Sequence, residues 1–231
     1  MTSPKPIYAL ADSSLFFLGR PDGSSFLDEI AQRTGVKRPA IAYIGASNRD
    51  SLEVYHSLFE SAIEGADLGE HRMVLSRPAQ EDAKFLERAE IIVLAGGDVH
   101  LGWRVFEENG LKELIRRRFV EGVLLIGVSA GAVQLGIGDL AEDGCSVLPT
   151  FGLLPFYVGA HGEQEDWSFL RRVASLSGKR SHAIGIPRSG GIRYENGEIE
   201  ILKGSLFEIV TDEGRSRESI IYPGRDRGML S

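Results

Sequence analysis

The sequence is poor in cysteine: Cys145 is alone among 231 residues, so no internal disulfide is available. With five scattered histidines it offers no Cys/His zinc cluster, and no metal or other cofactor is expected. Positive charge is also in deficit. Against 33 Asp+Glu stand 26 Lys+Arg, a formal net charge of −7. Nucleic acid is therefore not expected as a partner, because phosphate recognition relies on clustered cations. No apolar run approaches the ~18 residues of a membrane span, so no membrane partner is expected. Met1 to Pro6 lacks the apolar stretch of a secretory signal, and the expected location is cytoplasmic. Repeats, low-complexity tracts and linkers are missing too. What remains is 42% hydrophobic and 26% charged, the make-up of a globular protein. A single domain is expected over residues 1–231, with 213–231 as a loosely ordered polar tail.

The 28 glycines sit largely at the ends of apolar runs. Strands are expected at Ile41-Ala42-Tyr43-Ile44-Gly45, Met73-Val74-Leu75, Ile91 to Ala95 and Val123 to Gly127. Helical spacing appears from about Asp50 to Glu64, from Glu81 to Glu87 and from about Leu111 to Val120. Apolar, non-alternating strands interleaved with helices predict an α/β fold: a mostly parallel, doubly wound sheet flanked by helices. Beyond about residue 145 the pattern changes. Trp167 to Leu176 reads as an amphipathic helix, and Ala183 to Val210 as short antiparallel strands. Asn196-Gly197 there marks a C-terminal hairpin.

Gly127-Val128-Ser129-Ala130-Gly131 follows an apolar strand and matches G-x-S-x-G, the nucleophile elbow. Glycine at 127 and 131 permits a sharp strand-to-helix turn. That turn lifts the Ser129 hydroxyl above the strand ends, beside backbone N–H groups at a helix N-terminus. A plain Gly-rich turn with Ser129 capping the helix would use the same residues. Ala95-Gly96-Gly97-Asp98 ends the preceding strand at the same sheet edge, where parallel sheets bind ligands. It can aim the Gly97 N–H at a substrate carbonyl beside the N–H of Ala130. Asp98 either touches substrate or holds the turn.

A serine hydroxyl needs a base. His161, in the loop Gly159-Ala160-His161-Gly162, is the best placed of the five histidines, with His100 and His182 in reserve. His56 falls in a helical stretch and His71 in a charged loop. For the acid that orients the imidazole, Glu163, Glu165, Asp166, Asp139, Glu142 and Asp143 are candidates on nearby loops.

Taken together, the elbow, the upstream Gly-Gly turn, Gly159-Ala160-His161 and Ala183-Ile184-Gly185-Ile186-Pro187 resemble the S51 serine peptidases. That family contains aspartyl dipeptidase (peptidase E) and cyanophycinase, on a class I glutamine amidotransferase-like fold. The resemblance covers roughly residues 7 to 210. It implies Ser129 as nucleophile, His161 as base, the N–H groups of Gly97 and Ala130 as oxyanion hole, metal-free hydrolysis through an acyl-enzyme, and a homodimer. Two departures stand out. Arg188 occupies the position where the resemblance places a triad Glu, and a guanidinium opposes an imidazolium instead of stabilising it. The residues beyond the base, Glu163-Gln164-Glu165-Asp166, are acidic where relatives that take acidic substrates carry Arg. An anionic side chain would be repelled there. Glu163, Glu165 or Asp166 is then the candidate for a relocated orienting acid. Arg188 and Glu165 are expected to reshape specificity away from Asp-X dipeptides.

The expected function is a serine exopeptidase or dipeptidase acting on small peptides. Arg188 or Arg193 would read a carboxylate terminus, or Glu163 or Glu165 an amine terminus. Two alternatives use the same residues. One is a weak or inactive homologue that binds a small molecule or peptide. The other, a carboxylesterase, is opposed by chain order, because His161 follows Ser129 by so short an interval.

Overall fold

The structure, a computed structural model, describes residues 5–19, 23–50, 57–66 and 68–224. In chain order its elements are β1 (Ile7–Leu10), α1 (Phe26–Thr34), β2 (Ile41–Ile44), α2 (Ser57–Glu64), β3 (His71–Val74), α3 (Gln80–Arg88) and β4 (Ile91–Leu94). There follow α4 (Val99–Glu108), α5 (Leu111–Val120), β5 (Leu124–Val128), α6 (Ala130–Leu135), β6 (Gly138–Leu140), β7 (Val147–Pro149), β8 (Tyr157–Ala160) and α7 (Ser168–Leu176). The chain then runs through β9 (Ser181–Ile186), β10 (Gly191–Glu195), β11 (Glu198–Lys203), β12 (Leu206–Asp212) and β13 (Arg215–Ile221). Short 3-10 turns at Ser13–Phe17 and Ala46–Asn48 follow β1 and β2.

A seven-stranded sheet has the order β11-β10-β1-β5-β4-β2-β3. Strands β1, β5, β4, β2 and β3 run parallel, and the hairpin β10–β11 is added antiparallel to β1. The expected α/β class, mostly parallel with a late hairpin, is what the chain adopts. Helices cover both faces, which is why the strand runs are apolar without alternation. Ala42, Ile44, Ile92, Leu94 and Leu125 face one half of the core, and Tyr8, Leu10, Tyr43, Val93 and Ile126 the other. Helix starts are locally specified: Ser25 and Asp28 form a reciprocal capping box at α1. Among the described residues no helix is long and apolar enough to cross a membrane.

A second sheet, β13-β12-β9-β8, lies beyond β5 in sequence. Its β9 and β12 are antiparallel as expected, while β8 runs parallel to β9. Two expectations change here. Arg215–Ile221, expected within a loose tail, is a full strand paired with β12 along its length. Asp50, expected to open the second helix, has φ 56° and its carboxylate accepts hydrogen bonds from the Ser76 N–H and hydroxyl. Leu52, Tyr55 and His56 of that expected helix lie outside the described residues.

Candidate active site

Four parallel strands deliver their C-terminal ends to one edge: β1 leads to Asp12, β2 to Ser47, β4 to Gly96-Gly97 and β5 to Ser129. Ser129 has φ 50° and ψ −110°, an unusual backbone state for a residue with a Cβ. States of this kind cost roughly 1–3 kcal/mol and persist only where surroundings over-determine them. The surroundings do so here. The Ser129 N–H donates to the Leu10 carbonyl at 2.8 Å, and its own carbonyl accepts from Ala132 and Val133 in α6. Gly127 and Gly131 let helix and strand meet. A Cβ on Gly127 would stand 2.5 Å from the Gly131 carbonyl oxygen, and one on Gly131 would collide with the Leu94 carbonyl.

The raised hydroxyl meets one side chain: Ser129 Oγ lies 2.8 Å from His161 Nε2. His161 ends β8 and itself has φ 45°. Its N–H is pinned to the Ile186 carbonyl at 2.8 Å, continuing the β8–β9 register. The next turn is closed by Trp167, whose N–H donates to Gly162 and whose ring stacks on Phe207 with an interplanar angle of 10°. Gly162 and Gly185 leave room for that indole; a Cβ at 185 would come within 2.7 Å of it.

Two backbone N–H groups lie near Ser129, that of Gly97 in the cleft Ser129 lines and that of Ala130 next to it in the chain. Among the described residues the Gly97 N–H has no backbone acceptor. Ala130, as the first residue of α6, has no acceptor within its helix. Gly97 has φ 134° and sits against the 3-10 turn after β2, where a Cβ would be 2.6 Å from the Ser47 carbonyl carbon. The Asp98 N–H donates to that Ser47 carbonyl at 2.8 Å, fixing the turn. The Asp98 carboxylate accepts from the Leu101 N–H at 2.9 Å and so caps α4. Its expected role toward substrate is at most shared with that structural one.

The other described histidines stand apart from Ser129. His182 pairs with Glu208 at 2.9 Å, His71 opens the outer strand β3, and His100 faces a second cleft. None of the acids proposed to orient the imidazole touches it: among the described residues no hydrogen bond is made by His161 Nδ1. Asp166 is bound by Arg171, and Glu163 accepts the Arg188 N–H at 3.0 Å. Glu142 pairs with Arg104, and Asp143 holds the turn at Cys145 and Ser146. Glu165 and Asp139 line the second cleft. A relocated orienting acid therefore has no contact to act through. Replacing Glu165 or Asp166 by Ala should change the rate of Ser129 acylation by less than about tenfold, against about 10⁴ for a triad acid. Stopped-flow acylation of each variant checks this.

Clefts open on both sides of His161. One, of about 230 Å³, holds Ser129, Gly97, Phe16, Tyr43, Asp12 and Arg188. Sequence alone gives Asp12 no signal, although it lies just beyond the interior strand β1. Burial is the largest influence on its carboxyl and pushes its pKa up. Hydrogen bonds from Ser14 and Ser189, with the Arg188 charge, outweigh that and hold it below the ordinary range. The second cleft, of about 720 Å³, is lined by Asp98, His100, Asp139, Tyr157 and Glu165. Burial raises the Asp139 pKa, more than the Leu140 hydrogen bond and the nearby His100 lower it. A carboxyl whose folded pKa is raised costs stability once it ionises, so the loss is complete above the folded pKa and absent below the unfolded one. Asp139→Asn should thus raise Tm at pH 7. The gain should fade as pH drops from the raised folded pKa to the ordinary Asp value and be gone below it, in thermal melts of both proteins from pH 7 to pH 3.

The chain resembles the uncharacterized peptidase YgaJ of Bacillus subtilis (strain 168), 26% identical over 129 residues. That match spans 54% of this chain and 56% of YgaJ, so it reaches only about half the length of the curated relative. Two crystal structures share the fold. A peptidase from an acI-B1 Actinobacterium has a TM-score of 0.68 at 19% identity, over 96% of each chain. A putative peptidase E protein from Listeria monocytogenes EGD-e has a TM-score of 0.63 at 15% identity, over 88% of this chain and 100% of the other. The model of peptidase family S51 matches residues 10–202, spanning β2 to β10 with Ser129 and His161 inside it. By that match the chain belongs to peptidase family S51.

Proposed function

We propose that this peptidase is of the serine type and cleaves short peptides as an exo- or dipeptidase, through an acyl-enzyme on Ser129. The observation that carries the reading is the 2.8 Å contact between Ser129 Oγ and His161 Nε2, beside two uncommitted N–H donors. His161 Nε2 must be unprotonated to accept the hydroxyl proton, which puts the ring proton on Nδ1. As Oγ attacks the scissile carbonyl carbon, its proton passes to Nε2, and the carbonyl oxygen becomes an oxyanion held by the N–H groups of Gly97 and Ala130. The imidazolium then returns the proton to the leaving nitrogen, the C–N bond breaks, and an ester on Ser129 remains. Water, deprotonated by His161, releases the acid and restores the serine.

Specificity differs from that of an Asp-X dipeptidase. Glu165, Asp98 and Asp139 in the second cleft disfavour a substrate carboxylate, because like charges in a desolvated site repel by several kcal/mol, to order of magnitude. One observation favours a second reading, that of a weak homologue that chiefly binds its ligand: among the described residues His161 Nδ1 has no hydrogen-bond partner. A fluorophosphonate probe followed by a peptide library separates them. Labelling of Ser129 with release of amino acids supports the peptidase. Failure of the folded protein to label supports the binding protein.

A further inference from the structure

The cleft at Ser129 combines two kinds of lining. Phe16, Tyr43, Leu58 and Phe59 make it apolar and aromatic, while Arg188 and Asp12 bring charge to it. The two charges are not equivalent. Both Asp12 carboxylate oxygens are occupied, Oδ1 by the Ser14 N–H at 2.9 Å and Oδ2 by the Ser189 N–H at 2.8 Å. The Arg188 guanidinium, by contrast, makes no hydrogen bond or ion pair among the described residues, although its charge reaches Asp12; its backbone N–H is bound by Glu163. The other arginine weighed for reading a carboxylate is spent elsewhere. Arg193 pairs with Glu29, Glu195 and Glu200, and its side chain is only 18% exposed. Glu163, one of the two acids weighed for an amine, is committed to the Arg188 N–H.

An open guanidinium in an apolar recess suits a carboxylate, which it can grip with two parallel hydrogen bonds. At about 230 Å³ the recess is smaller than the roughly 300–1,000 Å³ of drug-sized ligand sites, so it has room for about one amino-acid residue. His161 lines it and, on the mechanism above, protonates the leaving amine. A leaving amino acid carries its carboxylate one carbon from that amine.

We infer that the Ser129 cleft is the subsite for the leaving C-terminal residue of the substrate. Arg188 holds its free α-carboxylate, and the Phe16–Tyr43–Phe59 lining takes an apolar or aromatic side chain. The substrate class is then a dipeptide or short peptide with an apolar last residue. This deepens the peptidase reading and rests on it for the direction of cleavage. The inference also gives Arg188 a use at the position where a triad Glu was expected. A carboxylate bound there offsets the cation that otherwise opposes the imidazolium, so the free carboxylate should raise kcat as well as lower KM.

The test measures binding apart from turnover. In the Ser129→Ala protein, calorimetry compares Ala-Phe with its C-terminal amide. The free acid is expected to bind about tenfold or more tighter, the range of a hydrogen-bonded charge pair. Arg188→Gln, which keeps the backbone bond to Glu163, should bring the ratio to within about twofold. Arg188→Lys should retain part of it, because the charge stays and the fork goes. Equal binding of acid and amide, a preference that survives Arg188→Gln, or no binding of either peptide would overturn the assignment. Failure of the peptidase reading shows separately, as absence of a fluorophosphonate adduct on wild-type Ser129.

Discussion

Replacing Ser129 by Ala should lower kcat for peptide hydrolysis by on the order of 10⁴- to 10⁶-fold, with the fold unchanged. The hydroxyl lies 2.8 Å from an imidazole at this sheet edge, and the mechanism has no other nucleophile. His161→Ala should cost about as much. The double variant should be no worse than either alone, because nucleophile and base act as one unit and their losses do not add. Residual rate over water would come from the Gly97 and Ala130 donors and from substrate binding. Parallel steady-state assays of the three variants decide this. A Ser129→Ala protein that keeps more than a tenth of wild-type kcat would remove serine from the chemistry.

A large stability effect should come from Gly131→Ala. The added Cβ would lie 2.7 Å from the Leu94 carbonyl carbon and 2.8 Å from Leu94 Cβ, closer than real Cβ atoms approach. Neither neighbour can swing away: one is backbone of the central strand β4, and Leu94 is wholly buried. Helix α6 must then move off β4, which also separates it from β8 and the His161 loop. Overpacking of this kind costs about 3 kcal/mol or slightly more. For a chain of this length that corresponds to a fall of about 6–12 °C in Tm. Activity should fall further than stability alone explains, because α6 carries the Ala130 N–H. A melt within about 2 °C of wild type would show that the glycine is not needed for close packing.

Much of this architecture is legible in sequence for a physical reason. The runs at Ile41, Ile91 and Val123 are apolar on both faces, and each ends in glycine or serine where the chain must turn sharply. Such segments have few alternatives to a buried parallel strand. His161 stood out because a histidine flanked by glycine is poorly explained as core filling. Where sequence fell short, the deciding contacts are long-range. Strand β1, Ile7–Leu10, takes its place between β10 and β5 through pairings with residues far along the chain, and Asp12 beyond it carries no local signal. The parallel pairing of β8 with β9 leaves no mark in either strand's own pattern. The acids after His161 are close to it in sequence, but the turn through Gly162 and Trp167 sends Asp166 to Arg171 and Glu163 to the Arg188 backbone. Proximity along the chain was a poor guide to which carboxylate meets which cation. The placement of Arg188 in the cleft and the engagement of Arg193 likewise depend on strands that meet only in the folded chain.

The most direct test of the account is to trap the covalent intermediate. Wild-type protein mixed with an activated ester or a cleaved peptide, quenched in acid within the first turnover and digested, should carry the acyl half of the substrate on the peptide containing Ser129. The same treatment of His161→Ala should leave that peptide unmodified. Turnover without an adduct on Ser129, or an adduct on another residue, would contradict the account.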